Sequence, residues 1–280
     1  MGGAGVQAGA SEAVGRPIVS GQQFRFDDGA VYERMMGIWS RLAGEQFLDW
    51  LAPASGLTWV DVGCGNGAFT QLLVERCAPA AIEAIDPVEG QIAYARARIP
   101  DPPARFQQGN AMALPFADRQ FDAAVMALVI FFVPDPAKGV AEMVRVVKPG
   151  GWVSAYAWDI PGNGLPMGPI RAELRAMGLE PPLPPNQQVS SLKGLADLWT
   201  RAGLDAVETR EIIVPRSFAD FDDYWTTSIL APGLSTMIAA LHKPTLEQLR
   251  HKVRARMQSG PDRKVQETSR ANAVKGVVRR

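Results

Sequence analysis

From Thr58 onward, short apolar runs alternate with segments whose apolar residues return every third or fourth position. The runs near 58–62, 81–86, 104–108, 121–129 and 151–157 read as strands, and periodic segments between them read as helices. Val88, Ile92, Ala95 and Ile99 fall on one helical face, as do Val140, Met143, Val144 and Val147. This alternation predicts βαβ units, hence an α/β fold with a mostly parallel sheet. The longest apolar run, Ala123 to Val133, is shorter than the ~20 residues of a membrane-spanning helix and suits a strand buried on both faces. Lys148-Pro149-Gly150-Gly151 predicts a turn that ends the helix before it.

After Trp158 the pattern loosens. Residues 159–185 are rich in Pro and Gly, with one helix predicted over 169–177 and a stiff extended PPLPP segment at 181–185. Leu192, Leu195, Leu198 and Trp199 mark a further helix, and Ala206 to Val214 a sixth strand. Residues 217–258 look helical, with Leu246, Leu249, Val253 and Met257 on one stripe, and a last strand is predicted near 264–277. The chain thus divides into a flexible N-terminal lead-in (1–24), lid helices (25–56), a core (57–158), an insertion (159–190), more core (191–214), a helical cap insertion (215–260) and a closing strand (261–280).

Composition narrows the function classes. Twenty-nine basic and 29 acidic residues leave no net charge, so nothing points to a nucleic acid partner, which a basic patch would announce. The basic residues of the last thirty positions are read as a solvated helix and an edge strand. Two cysteines, Cys64 and Cys77, fit a reducing compartment without disulfides, and a cytoplasmic location is expected. His242 and His251 are the only histidines, so no metal site is expected. The first residues, MGGAGVQAGASEAVGRP, lack the basic start and apolar stretch of a secretory signal. No membrane association is expected, and the oligomeric state is left open.

The chemistry concentrates in Trp59-Val60-Asp61-Val62-Gly63-Cys64-Gly65-Asn66-Gly67-Ala68, a strand that breaks into a glycine-rich turn opening a helix. Glycines at 63, 65 and 67 permit positive φ angles and let a ligand approach the backbone. Gly63, Gly65 and Ala68 also satisfy the G-x-G-x-x-A spacing of dinucleotide sites. Asp61 fits poorly beside a pyrophosphate and well beside an ammonium group, which S-adenosylmethionine carries. It equally fits an acceptor for N–H groups of its own turn, and the motif alone leaves both readings standing. Asp86, at the end of the second strand about 20 residues on, stands where an acidic group meets ribose hydroxyls. A third strand runs into Gly109-Asn110-Ala111, a polar end suited to accepting from an adenine amino group.

With these residues the sequence resembles the class I S-adenosylmethionine-dependent methyltransferases, and especially their type 11, small-molecule branch. The resemblance is carried by VDVGCGNGAF, AIDPVEGQIAYARAR, GNAMALPF and FDAAVMALVIFFVPDPAKGVAEMVRVVKPGGWVSAY, and is close over residues 57 to 157. It implies a Rossmann-like, seven-stranded sheet with helices on both faces, the last strand inserted antiparallel, and helical cap insertions. It also implies that Asp61 faces the methionine ammonium, that Gly63, Cys64 and Gly65 line the cofactor, and that Asp86 holds the ribose. Asn110 and the backbone of Ala111 would read adenine. Pro87, Gln91, Met112, Met126 and Ala127 would complete the cofactor contacts, with Tyr32, Met36 and Trp39 closing over them. The product would be S-adenosylhomocysteine. Two departures stand out: Asn110 replaces the family's usual Asp, and Phe131 stands where relatives often carry a polar residue.

Ligands of open α/β sheets bind beyond the carboxyl ends of the strands, so both insertions are expected to cover the cofactor face. An apolar acceptor pocket walled by Trp158, Phe218, Phe221, Tyr224 and Trp225 is the expectation, for a small, partly apolar methyl acceptor. Asp159, Asp222, Asp223 and Tyr224 are within reach as bases, but the sequence assigns no catalytic residue. Two other functions remain compatible with the glycine turn: a nicotinamide-dependent oxidoreductase, and a cofactor-binding fold acting as an interaction module.

Overall fold

The computed structural model describes residues 36–100, 102–231, 233–257 and 263–280. Tyr32, the lead-in and part of the lid segment lie outside them. The first described helix, α1 (Ile38–Leu51), is followed by β1 (Thr58–Val62), α2 (Ala68–Cys77), β2 (Ala81–Asp86), α3 (Glu89–Arg98), β3 (Ala104–Gln108) and β4 (Phe121–Ala127). Then come α4 (Pro136–Val146), β5 (Val147–Trp158), α5 (Gly168–Ala176), α6 (Leu192–Arg201) and β6 (Asp205–Phe218). Three helices, α7 (Phe221–Ser228), α8 (Leu234–Ala239) and α9 (Lys243–Arg256), precede β7 (Val265–Val277).

The strands form one seven-stranded sheet in the order β3-β2-β1-β4-β5-β7-β6. Pairs β1–β2, β1–β4, β2–β3 and β4–β5 are parallel, whereas β7 runs antiparallel to both β5 and β6. This is the Rossmann-like architecture that the resemblance implied, reversed last strand included. β7 is interior, however, and β6 is the edge. Its basic residues are accordingly held by partners, Arg270 by Asp159 at 2.7 Å and Lys275 over the ring of Trp50 at 4.8 Å, and the reading of a solvated edge strand does not hold for them.

The core strands are legible because their side chains are inside on both faces: Val60, Val62, Ala84, Ala124 and Val125 are fully buried. Ile92 and Ala95 of α3 are buried as the periodicity predicts, but Val88 is exposed because it is the residue before the helix starts. The Lys148–Gly151 segment does not follow α4 as a free turn. It lies inside β5, where a register irregularity against β4 and a φ of +83° at Gly150 take up the extra residues. The predicted helical stretch 217–258 divides into three helices, with Gly233 at φ +80° before the second and a proline at the start of the third. On the opposite side of the molecule, Trp199 of α6 is fully buried and donates its indole N–H to the Val153 carbonyl at 2.9 Å, fastening that helix to β5.

Candidate functional site

Because β1, β2, β3 and β4 are parallel, their carboxyl ends meet on one edge of the sheet, and the glycine turn lies there. The Gly63 and Cys64 N–H groups both donate to the Ile85 carbonyl, at 2.8 and 2.9 Å, which ties the turn to β2. Gly63, Gly65 and Gly67 have φ of +80°, +54° and +80°, a region where only glycine sits without strain. The three have different reasons for lacking a side chain. A Cβ on Gly63 would lie 2.5 Å from Val129, and one on Gly67 3.1 Å from Ala95, whereas one on Gly65 would meet nothing within 4 Å among the described residues. Gly65 therefore leaves open room beside the turn, as close approach of a ligand requires.

Asp61 is fully buried. The Thr70 hydroxyl donates to its Oδ2 at 2.7 Å, and its Oδ1 has no hydrogen-bond partner among the described residues. No N–H of the turn reaches it, so the reading of Asp61 as a mere turn acceptor finds no support in the geometry. Burial pushes its carboxyl up to about 7, the Thr70 hydroxyl opposes the shift, and the nearby Asp86 adds to it. A buried carboxylate oxygen without a partner is costly and is the feature that a cationic ligand group would satisfy.

Asp86 ends β2 half-buried and organises the backbone around it. Its Oδ2 accepts from the Gly65 N–H at 3.0 Å and its Oδ1 from the Val88 N–H at 2.9 Å. Each oxygen keeps a second lone pair, so the ribose reading remains compatible with the geometry. Burial raises its carboxyl as well, against those two N–H bonds. Two carboxyls at adjacent strand ends give the cleft negative character.

The remaining sequence-predicted contacts divide. Asn110 is exposed, and its side-chain oxygen accepts from the Met112 N–H at 2.9 Å. That leaves one lone pair and two N–H donors for a ligand, where Asp would offer a second acceptor oxygen. Ala111 and Met112 are half-buried, Gln91 likewise, Pro87 exposed, Ala127 half-buried, and Cys64 buried with its thiol 3.7 Å from the Gly65 carbonyl. Met126 is fully buried and its Cε lies against Gly139 of α4, so it serves the core. Met36 is half-buried, and Trp39 is buried edge-on against Trp158 at 6.4 Å. Phe131 is buried in ring contact with Phe132, at 4.7 Å.

Four of the five aromatic residues expected as walls pack on one another, and Trp158 packs on Trp39 instead. Phe218 and Tyr224 meet edge-on at 5.1 Å and Phe221 stacks on Trp225 at 6.2 Å, all four buried. The acidic residues considered as bases are engaged elsewhere: Asp159 by Arg270, Asp222 by Arg250 and Arg254, Asp223 by the Ala219 N–H at 2.9 Å. Sequence reasoning missed Thr70, whose inward position on α2 becomes visible only when the helix is seated on β1. It also missed Leu128, which follows β4 at φ +62°, a strained backbone at the cleft mouth.

The fold is that of Rossmann-like domains, with two carboxyls, Asp61 and Asp86, beside the glycine turn. Residues 60–155 match the family described as the methyltransferase domain, type 11. A demethylmenaquinone methyltransferase of Desulfitobacterium hafniense is 39% identical over 103 residues, which are 35% of this chain and 41% of that protein. A ubiquinone/menaquinone biosynthesis C-methyltransferase of Roseobacter denitrificans is 34% identical over 116 residues, 40% of this chain and 46% of that protein. The matches thus span less than half the length of those relatives. Among solved structures, the Haemonchus contortus phosphoethanolamine N-methyltransferase 2 in complex with S-adenosyl-L-methionine shares the fold, with a TM-score of 0.55, 16% identity, and coverage of 90% of this chain and 56% of that one. Over residues 60–155 the chain is thus similar to the methyltransferase-domain family.

If Asn110 lies under the adenine, Asn110→Asp is expected to tighten S-adenosylhomocysteine binding roughly 2- to 10-fold, the worth of one added hydrogen bond of about 0.5–1.5 kcal/mol. Calorimetry on the two proteins checks it.

Proposed function

We propose that the chain is an S-adenosylmethionine-dependent methyltransferase acting on a small, partly apolar acceptor. The observation that carries the reading is the buried, partnerless Oδ1 of Asp61 beside a glycine whose missing side chain leaves open room. Asp61 would take the ammonium of the methionine moiety, Gly63 and Gly65 would pass their backbone along it, and Asp86 would receive the ribose hydroxyls. When bound, the sulfonium supplies a methyl group already activated for displacement. The task left to the chain is to hold the acceptor in line behind it and to exclude water, and positioning of that kind is worth about 7–11 kcal/mol. The aromatic residues around Trp39, Trp158, Phe218 and Phe221 supply an apolar wall for the acceptor body. The names of two relatives, a demethylmenaquinone methyltransferase and a ubiquinone/menaquinone biosynthesis C-methyltransferase, support an acceptor with a quinone-like ring.

The test is incubation with S-adenosylmethionine labelled in the methyl group, together with a metabolite extract. The expected result is label in organic-soluble small molecules, lost in Asp61→Ala. Label confined to protein or nucleic acid would overturn the acceptor class.

A further inference from the structure

A second group of buried polar atoms lies away from the glycine turn. β5 ends at Trp158, opposite Ala271 of β7, but β7 and β6 continue as a two-stranded extension past that point, pairing Val214 with Ser269, Arg216 with Glu267 and Phe218 with Val265. Burial alternates along both strands there, so Arg216, Phe218, Val265, Glu267 and Ser269 share the inner face. This extension overhangs the same edge of the sheet as the glycine turn.

Glu267 is 4% exposed and Ser269 2%. Glu267 Oε1 accepts from the Gly168 N–H at 2.8 Å, at the start of α5, but Glu267 Oε2 and Ser269 Oγ have no partner among the described residues. Arg171 of α5, 8% exposed, donates from one terminal nitrogen to the Pro182 carbonyl at 3.2 Å, while its Nε has no partner. Tyr224 of α7 is fully buried, and its hydroxyl makes no hydrogen bond of good geometry although Ser228 and the Ile170 backbone flank it. The charge of Glu267 is felt by Arg171, Arg216 and Tyr224, so these groups face one another from α5, β6, β7 and α7. Burial pushes the Glu267 carboxyl up to about 7, against the pull of Arg216 and Arg171, which makes it a ready proton acceptor at neutral pH.

Natural cores satisfy their polar groups, and a cluster in which a carboxylate oxygen, a hydroxyl and a guanidinium N–H are all unmet is poor as a purely structural device. Aromatic rings lie next to the cluster. The Arg216 guanidinium lies 5.6 Å from the ring centre of Trp39 and 4.6 Å from that of Phe218. Arg216 and Phe218 also line a groove of about 480 Å³, together with Ile38, Leu42 and Thr227 among others, within the size range of small-molecule sites.

Resting on the methyltransferase reading, we propose that Glu267, Ser269, Arg171 and Tyr224 form the subsite that holds the polar end of the acceptor, a hydroxylated aromatic that also carries a carbonyl oxygen. Glu267 Oε2 receives its hydroxyl, the Arg171 Nε–H and the Tyr224 or Ser269 hydroxyl donate to its oxygen, and Trp39, Trp158 and Phe218 flank the ring. Glu267 is here a binding and positioning residue for the remote end of the acceptor, since β7 is separated from β1 by β4 and β5.

The experiment titrates the full chain, saturated with S-adenosylhomocysteine, with umbelliferone, a fluorescent bicyclic phenol that bears a carbonyl. Saturable binding is expected, weakened at least tenfold in Glu267→Gln and severalfold in Ser269→Ala. Affinity for S-adenosylhomocysteine should stay within twofold in both variants, and neither should melt at lower temperature, because glutamine still accepts from Gly168. Absence of saturable binding by the unaltered protein, or equal probe affinity in Glu267→Gln, overturns the subsite. A lower melting temperature with unchanged probe affinity marks the cluster as structural and also overturns it. Failure of the methyltransferase reading would show separately, as absence of S-adenosylhomocysteine binding by the unaltered protein.

Discussion

Asp61→Asn is expected to strengthen the fold and weaken cofactor binding together. A carboxyl raised from 3.8 to about 7 favours the folded state below its ordinary value, and that contribution disappears as pH climbs through about 7. The ligand-free protein therefore carries an unfavourable buried charge at about pH 8, worth up to about 4 kcal/mol at 1.36 kcal/mol per pH unit. Asparagine keeps an oxygen for the Thr70 hydroxyl but buries an unpaired N–H₂, which returns part of the gain. A net increase in unfolding free energy of about 1–2 kcal/mol at about pH 8, falling by about 1.4 kcal/mol per pH unit below about pH 7 and reversing sign at about pH 6, is the expected result of urea titrations. The same substitution removes the anionic partner of the ammonium, and a hydrogen bond to a charged group contributes about 1.5–3 kcal/mol, so S-adenosylhomocysteine should bind roughly 10- to 150-fold more weakly. A carboxylate that merely braced its own turn would lose stability and leave affinity nearly unchanged.

Gly63→Ala should be among the most damaging single substitutions in the core. A backbone at φ +80° disfavours any Cβ, by about 1–2 kcal/mol. The added methyl would also sit 2.5 and 2.7 Å from the two methyls of Val129, and overpacking of that kind costs about 1–3 kcal/mol. The expected loss is about 2–5 kcal/mol of unfolding free energy. Adding Val129→Ala should restore the steric part and leave the φ part, so the double variant separates the two in a denaturation series. Gly65→Ala meets no protein atom and should cost only the backbone strain of about 1–2 kcal/mol, while still obstructing the ligand.

The contrast between these glycines shows what sequence could and could not convey. The motif located all three and gave their conformational reason, but it could not say that one yields to Val129, one to Ala95 and one to open space, because those neighbours come from elsewhere in the chain. The parallel core was legible since β1, β2 and β4 are buried on both faces and read as continuous apolar runs. β6 runs past the predicted end at Val214 to Phe218, and it accommodates Pro215 because it is the edge strand of the sheet. Asp61 and Asp86 were legible because each ends a strand beside the glycine turn. Glu267, Arg171 and Arg216 were not, since they lie far apart in sequence and only the pairing of β6 with β7 and the packing of α5 bring them together. The visible sign was a charged residue at an inward position of β6, Arg216, and of β7, Glu267; Arg171 on α5 gave none.

The central claim is that the Asp61 cleft receives the amino-acid end of a sulfonium nucleoside, and calorimetric titration of the unaltered protein with S-adenosylhomocysteine tests it most directly. Micromolar binding that fades as pH falls below about 7, as protonation of Asp61 requires, is the predicted result. Heat with NADH and none with S-adenosylhomocysteine, or no heat with either, would contradict it.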